Sequence, residues 1–514
     1  MKVIIKNGVC ETMDKGEVKD FIIIEDGIIT KTGNSKDLAN YIDDETEIID
    51  ARGKTVMPGI IDNHFHLVAS AINSRSIDIS AARSMEEVGN LIRNRCNSID
   101  NEFVLAVNFE WQAVGLKACP SRKEIDKLIN DKPVVIISRD SHLILLNSRA
   151  MLFFNTPFAL PGAMADENGM PTGVFQKQAG VTLYCNIMKS FSDKYCNEAI
   201  EELMSQIHQN GITTIGAMEG GNMGVPKEVN EEAEFVFKNK DGYPLGIELF
   251  YQTYDINKIK KMKLNRIGGA LYIDGTIGCR SAAMSFNYAD DETTKGLHFI
   301  DKDFLNKFVL ECYRQNIQTA LDAIGDEAIR WCIEAHEYAT SFVGKSLCRH
   351  RIEHCELVTR EQMARINDLG LVLSMQPTYE YYWGGKGKMY EEKLGEFYKT
   401  TNPFRAILDS GIKVCGGSDV TEMNPFMGMH YAVNPPIKEH GVEIYEAMEM
   451  YTSNGAYGLF LENKVGILKE GMNGDVIILD RNLRECEKSE IKETKVLATI
   501  KDGEIVYIDK DLLC

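Results

Sequence analysis

Two histidines separated by a single residue, His64 and His66, end the apolar run Val56-Met57-Pro58-Gly59-Ile60-Ile61-Asp62-Asn63. In a strand alternate side chains share a face, so both imidazoles can be offered to one cation while Phe65 packs behind them. An Ile-Ile run after Pro-Gly suits a strand buried in a barrel, and a histidine pair at its end has the geometry of a metal site. Further polar groups close other apolar segments: Asp322 after Thr319-Ala320-Leu321, His354 after Arg351-Ile352-Glu353, and Asp419 after Gly416-Gly417-Ser418. Alone, each has a plainer explanation, because a strand-end histidine is often a structural group and an aspartate after Gly-Ser often caps a helix. Together they make a nitrogen and oxygen donor set for Zn²⁺ or another divalent ion, Mn²⁺ or Fe²⁺ included, with room for a water molecule.

These residues must be positioned by a large scaffold. The chain has 514 residues, 44% of them hydrophobic, enough for one large domain with a smaller one attached. A formal net charge of -19 without a Lys/Arg run repels phosphate backbones and anionic lipid, which argues against nucleic acid and membrane partners and for a small-molecule substrate. The first apolar stretch is too short for a signal sequence and no segment reaches the length of a membrane helix, so a cytoplasmic location is expected. The 13 cysteines, without a Cys-x-x-Cys pair, read as reduced thiols. Cys279, Cys355 and Cys415 lie near the motifs above and read as small buried hydrophobes.

Both ends of the chain are rich in short strands. Residues 2 to 8, 20 to 33 and 47 to 57, punctuated by Asn-Gly, Asp-Gly and Arg-Gly turns, match 475 to 479 and 495 to 508 in character. This predicts a composite β-sandwich from residues 1–58 and 464–514. Between them, amphipathic helices near 84 to 99, 196 to 210, 301 to 316, 325 to 341 and 359 to 369 alternate with apolar strands near 213 to 217, 318 to 322, 371 to 375 and 413 to 419. Ser84 with Glu87 and Thr359 with Gln362 have capping-box spacing. The rhythm predicts an α/β fold, a TIM-like (β/α)₈ barrel with insertions over 59–463, with strand-end polar groups converging on one mouth. A doubly wound sheet competes, but no Gly-x-Gly-x-x-Gly follows a strand.

The sequence resembles the amidohydrolase superfamily in its His-x-His after Pro-Gly, its late Gly-Ser-Asp and its paired terminal β segments. Finer motifs resemble the YtcJ-like branch, amidohydrolase family 3: Arg139-Asp140-Ser141-His142 with Asn147, Gly169-Met170-Pro171-Thr172-Gly173-Val174, Asp274-Gly275-Thr276-Ile277-Gly278-Cys279-Arg280, Ala323-Ile324-Gly325-Asp326, Arg351-Ile352-Glu353-His354 and Gln376-Pro377. The resemblance spans about residues 3 to 505 and implies a metal-dependent hydrolase. Departures accompany it. A metal-bridging carboxylated lysine, usual in this branch, is replaced by Ala270; the usual histidine is Asp322; and an expected glutamate is Lys177. One reading is a single ion held by His64, His66, Asp419 and His354. Another is a two-metal site in which Lys177 is carboxylated and Asp322 replaces an imidazole. A third is a weakened or lost metal site.

For substrate, Arg280 offers a planar fork to a carboxylate, or else an ion pair within the fold. His142 is a candidate donor to substrate or to a developing oxyanion. Tyr379, Tyr381, Tyr382 and Trp383, followed by Gly384-Gly385, read as an aromatic, glycine-hinged pocket loop, with Asp322 beside it. The expected reaction is hydrolysis of a C–N bond in an amide, N-acyl or cyclic-amide molecule, with Asp419 moving the proton and His354 steadying the oxyanion. Deamination, lactone cleavage and C–C hydrolysis fit the same scaffold, and a non-catalytic binding barrel is the alternative of another class. A homodimer is expected from the resemblance alone.

Overall fold

The computed structural model describes residues 2–34, 38, 41–43, 46–96, 102–139, 141–154, 156, 158–220 and 232–513. Asp140 of the Arg-Asp-Ser-His motif lies outside them. Eight parallel strands form the central sheet: β1 (Ile60–Phe65), β2 (Ile212–Glu219), β3 (Gly246–Tyr251), β4 (Arg266–Tyr272), β5 (Gln318–Ala323), β6 (Arg351–His354), β7 (Val372–Met375) and β8 (Val414–Gly416). Each pairs with the next, and a parallel bridge from Phe65 to Asp419 brings the last back to the first. This is the (β/α)₈ barrel, not a doubly wound sheet. Apart from Gly246 and Glu248 of β3 its strands are buried throughout because helices pack outside them, which explains their near-continuous apolar character.

The helices fall close to their expected positions: Met85–Cys96, Asp193–Gln209, Lys302–Gln315, Asp326–Val343 and Arg360–Leu369. Thr359 and Gln362 close a true capping box, with Oγ1 of Thr359 accepting from Gln362 N at 3.3 Å and Oε1 of Gln362 accepting from Thr359 N at 2.9 Å. At Ser84 only half the box forms, since Glu87 reaches past Ser84 to the backbone N–H of Arg83.

The terminal strands join in one eight-stranded sheet. Thr55–Pro58 is the junction, parallel to Lys2–Glu11 on one side and antiparallel to Val476–Leu479 on the other. Val3, Ile5, Ile22, Ile24, Ile478 and Ile500 fill its core. The Asp26-Gly27 and Asp502-Gly503 hairpin turns hold both residues at positive φ, as two-residue turns between twisted strands require. Asn7-Gly8 differs from its expected role as a strand end: the first strand runs on to Glu11, and the pair sits where its register with Val18–Glu25 shifts.

Between β1 and β2 the chain forms a third, six-stranded sheet, in the order Ala163–Ala165, Pro171–Gln176, Leu143–Leu146, Val134–Ser138, Val104–Phe109, Ile77–Asp78. It has its own apolar core, including Val88, Ile92, Ile125 and Ile136. No helix among the described residues is long and apolar enough to cross a membrane, and the described cysteines form no disulfide.

Candidate metal centre

A cavity of ≈ 620 Å³ opens at the C-terminal ends of the barrel strands, the end at which such barrels carry their chemistry. His64, His66, His142, Asp322, His354, Trp383 and Asp419 all line it. The ligand atoms of His64, His354 and Asp419 lie within 4.8 Å of one another, and His66 Nε2 lies 3.2 Å from Asp419 Oδ1.

Backbone geometry creates this convergence. Asp419 donates its N–H to the carbonyl of His64 at 2.7 Å, tying the end of β8 to the histidine pair. Gly417 permits the approach, because a Cβ there would stand 2.7 Å from His64 N. His354 and Asp419 both take left-handed backbone conformations, φ 66° and 58°, which break strand alternation just where the side chains must turn into the mouth. Asp62 accepts the backbone N–H of His64 at 3.2 Å and of Ser418 at 3.1 Å, stitching β1 to β8 from beneath. Burial pushes its carboxyl up to about 7.

Each imidazole is oriented by a partner. His64 donates from Nδ1 to Glu353 Oε2 at 2.7 Å, while its buried Nε2 has no hydrogen-bond partner. Burial lowers the pKa of His64, favouring the neutral ring that a metal requires. Glu353 is itself held by Arg351, Nε to Oε1 at 2.8 Å and Nη2 to Oε2 at 2.9 Å. Although burial opposes its charge, Arg351 and His64 bring its carboxyl down to about 2. His354 places Nδ1 2.7 Å from Gln376 Oε1 and Nε2 3.2 Å from Asp322 Oδ2. Burial disfavours the charged ring of His354, yet Asp322 and Asp419 outweigh it and raise its pKa to about 10, so an ion taking Nε2 would have to displace the proton shared with Asp322. Burial likewise opposes the charge of Asp419, but the hydrogen bond from His66 and the neighbouring imidazoles hold its carboxyl far below the usual range. The Tyr379 hydroxyl donates to Asp419 Oδ2.

The donor set fits a divalent ion. The imidazoles of His64 and His354 and the Asp419 carboxylate converge, His66 lies beside Asp419, and both His64 Nε2 and the buried Asp322 Oδ1 lack protein partners. Ala270 lines the wall where the resemblance places a bridging lysine. Lys177 does not line this cavity; it begins the helix Lys177–Met188 in the inserted region. Arg280 also lies outside the cavity lining, its fork taken up by Asp290, Nε to Oδ1 at 3.0 Å and Nη2 to Oδ2 at 2.5 Å. His142 enters from the inserted sheet, its ring 5.4 Å from that of Tyr272. Trp383 follows the short helix Tyr379–Tyr382, its ring edge-on to Tyr379 at 4.6 Å.

Several functional groups escaped the sequence reading. Glu353 was legible as the i,i+2 partner of Arg351, opposite charges on one face of a strand, but its service to His64 needs the barrel to close. Gln376, next to Pro377, has no role that spacing could assign, and Tyr379, expected in an aromatic pocket loop, does line the cavity but also donates to Asp419. Glu219 ends β2, and its Oε1 accepts the backbone N–H of Leu67, capping the helix Leu67–Arg75 that His66 leaves uncapped.

Residues 47–507 match the family described as the Amidohydrolase family. The chain is similar to the Bacillus subtilis (strain 168) protein YtcJ, 25% identical with 99% of both chains covered. It is similar also to an N-substituted formamide deformylase of Arthrobacter pascens, 25% identical with 98% of both covered. Among solved structures, a metal-dependent hydrolase from Pyrococcus horikoshii matches with a TM-score of 0.75 at 22% identity, over 95% of this chain and 99% of that one.

Proposed function

Because the chain belongs to the amidohydrolase family, we propose that it is a metal-dependent hydrolase of a C–N bond in a small amide, N-acyl or cyclic-amide substrate. The observation that carries this reading is the gathering of His64, His354 and Asp419 within 4.8 Å, with His66 alongside, in an open cavity. Resemblance along nearly the whole chain to a protein named for deformylating N-substituted formamides supports an amide-type bond.

His64, His66, Asp419 and His354 would hold the ion. When bound, a divalent ion supplies Lewis-acid polarisation of a carbonyl and acidification of water. Glu353 keeps the Nδ1 proton of His64 in place, so that Nε2 is the nitrogen offered to the cavity. Asp419 divides its oxygens: Oδ1 faces His64 and His66, and Oδ2 accepts from Tyr379. The carboxylate thus has one oxygen for the ion and one for the proton of the attacking water, which it returns to the leaving nitrogen. Tyr379 steadies that carboxylate and releases its hydrogen bond as the proton arrives. His142, which lines the cavity, would donate to the developing oxyanion, and Trp383, which lines it too, would give the substrate an apolar wall.

The test is turnover of a matched panel of N-substituted formamides, N-acetyl amides, cyclic amides, amidines and lactones by zinc-, manganese- or iron-loaded protein. Turnover should appear on amides and fall at least 1,000-fold, roughly the scale of lost proton transfer, in Asp419→Asn. Turnover restricted to lactones or amidines would overturn the bond assignment, and an Asp419→Asn variant within tenfold of the parent would overturn the role of Asp419.

A further inference from the structure

A second chamber of ≈ 930 Å³ adjoins the metal cavity and shares Gly278, Trp383 and Met389 with it. It is walled on one side by the inserted sheet and on the other by barrel loops. Phe109 closes the strand Val104–Phe109, Trp111 follows it and Leu143 opens Leu143–Leu146, while Tyr382, Trp383 and Met389 come from the segment between β7 and β8. Phe109 and Leu143 are buried, whereas Trp111, Tyr382, Trp383 and Met389 are half-buried and keep apolar surface open to solvent. Trp111 packs in addition against the apolar core of the inserted sheet, which fixes where its ring stands.

The charged groups of this lining are matched within the protein. Arg139 donates from Nε to Glu110 Oε1 at 2.7 Å, and its guanidinium stands 4.8 Å from the centre of the Tyr382 ring. Lys393 donates to Asp290 Oδ2 at 2.5 Å and to Glu392 Oε1 at 2.8 Å, and Lys388 donates to the carbonyl of Tyr381. The Tyr382 hydroxyl donates to Glu422 Oε2 at 3.3 Å. A charged ligand arm would lose water here and meet no counter-ion that is not already engaged. An apolar arm gains by leaving water, and a flat ring gains further from edge and face contacts with Trp111, Tyr382 and Trp383. Because Trp383 and Met389 line both spaces, one ligand can occupy the two at once.

Resting on the hydrolase reading of the adjoining cavity, we infer that this chamber seats an uncharged aromatic ring of the substrate, carried on an arm that passes Trp383 and Met389. The substrate is then an amide whose scissile bond lies at the histidine cluster and whose ring packs against Trp111. The inserted sheet takes part in recognition by supplying that tryptophan.

The experiment measures binding of hydroxamates, whose head group chelates a metal, by calorimetry on the zinc-loaded full chain, without turnover. Acetohydroxamate tests the head alone; 3-phenylpropanohydroxamate and 5-phenylpentanohydroxamate add the ring on a shorter and a longer arm, and matched compounds carry a carboxylate, an ammonium or a cyclohexyl tip. The better phenyl compound should bind at least tenfold more tightly than acetohydroxamate and than either charged compound, and at least threefold more tightly than the cyclohexyl one. Trp111→Leu, which keeps an apolar side chain against the inserted sheet, should lose at least fivefold for the phenyl compound and less than twofold for acetohydroxamate. Phenyl compounds no tighter than acetohydroxamate, including binding of none, overturn the inference. So do a charged or cyclohexyl tip that matches phenyl and a phenyl preference undiminished in Trp111→Leu. A Trp111-dependent phenyl preference in the absence of any acetohydroxamate binding would leave the chamber assigned and remove the metal reading instead.

Discussion

Glu353 precedes His354 in the chain, yet it serves His64: its Oε2 accepts the Nδ1 proton of His64 at 2.7 Å, while His354 turns to Asp322 and Gln376. Of two adjacent residues, one therefore orients an imidazole on another strand and the other is an imidazole oriented from Asp322 on β5 and Gln376 just after β7. The positive φ of His354 makes this possible by carrying its ring out of the strand's alternation.

Glu353→Gln removes the charge that fixes the His64 tautomer and leaves the fully buried Arg351 short of its counter-ion. Metal affinity should fall about 10- to 100-fold, read by competition with a chelator. Unfolding stability should fall by about 3–5 kcal/mol, the cost of removing one partner of a buried pair. Unchanged metal affinity would show that Glu353 serves only the fold.

The pH dependence of stability should carry the mark of two histidines far from the mouth. His336 and His350 are buried; burial lowers the pKa of His336 from 6.5 to about 3 and, with His336 nearby, lowers that of His350 well below 6.5. Their Nδ1 atoms lie in hydrogen-bond contact with the Tyr313 hydroxyl and the Thr319 N–H, both suited to neutral rings. The unfolded chain binds these protons first. Their stabilising contribution is therefore complete above pH 6.5 and declines as pH falls, by about 1 kcal/mol per pH unit for each ring. Urea unfolding at pH 7.5 and 5.5 should show a smaller loss in His336→Gln than in the parent; an equal loss would refute the assignment.

The barrel, its terminal sheet and the histidine–aspartate cluster were legible in the sequence because they rest on local signals. The periodicity near 301 to 316 and 325 to 341, the turn residues Asp26-Gly27 and Asp502-Gly503, and the polar ends of apolar strands all carry their physics within a few residues. What spacing could not supply was partnership across the barrel. Arg280 carries the same fork whether it meets a substrate or Asp290, and only the loop path decides. Glu219 ends an apolar strand, and only the pairing of β1 with β2 makes it the cap of the helix after His66.

The loop after Tyr379–Tyr382 should depend on Gly384. A Cβ there would stand 1.9 Å from Glu380 Oε2 and 2.9 Å from Glu380 Cα, and Glu380 is fixed by Asn402 and Thr401. Gly384→Ala must displace either Glu380 or Trp383. KM should rise at least fivefold with metal content unchanged, as steady-state kinetics and elemental analysis on the same sample would show. An unaltered KM would mean that Trp383 does not touch substrate.

In the proposed reaction one ion sits among His64, His66, His354 and Asp419, and anomalous diffraction from crystals of the metal-loaded protein would locate it. One dominant peak is expected at the barrel mouth, with His64 Nε2 and Asp419 Oδ1 at coordination distances of about 2.0–2.2 Å. A mouth without an anomalous peak in protein that still hydrolyses an amide, or a metal seated away from these side chains, would contradict it.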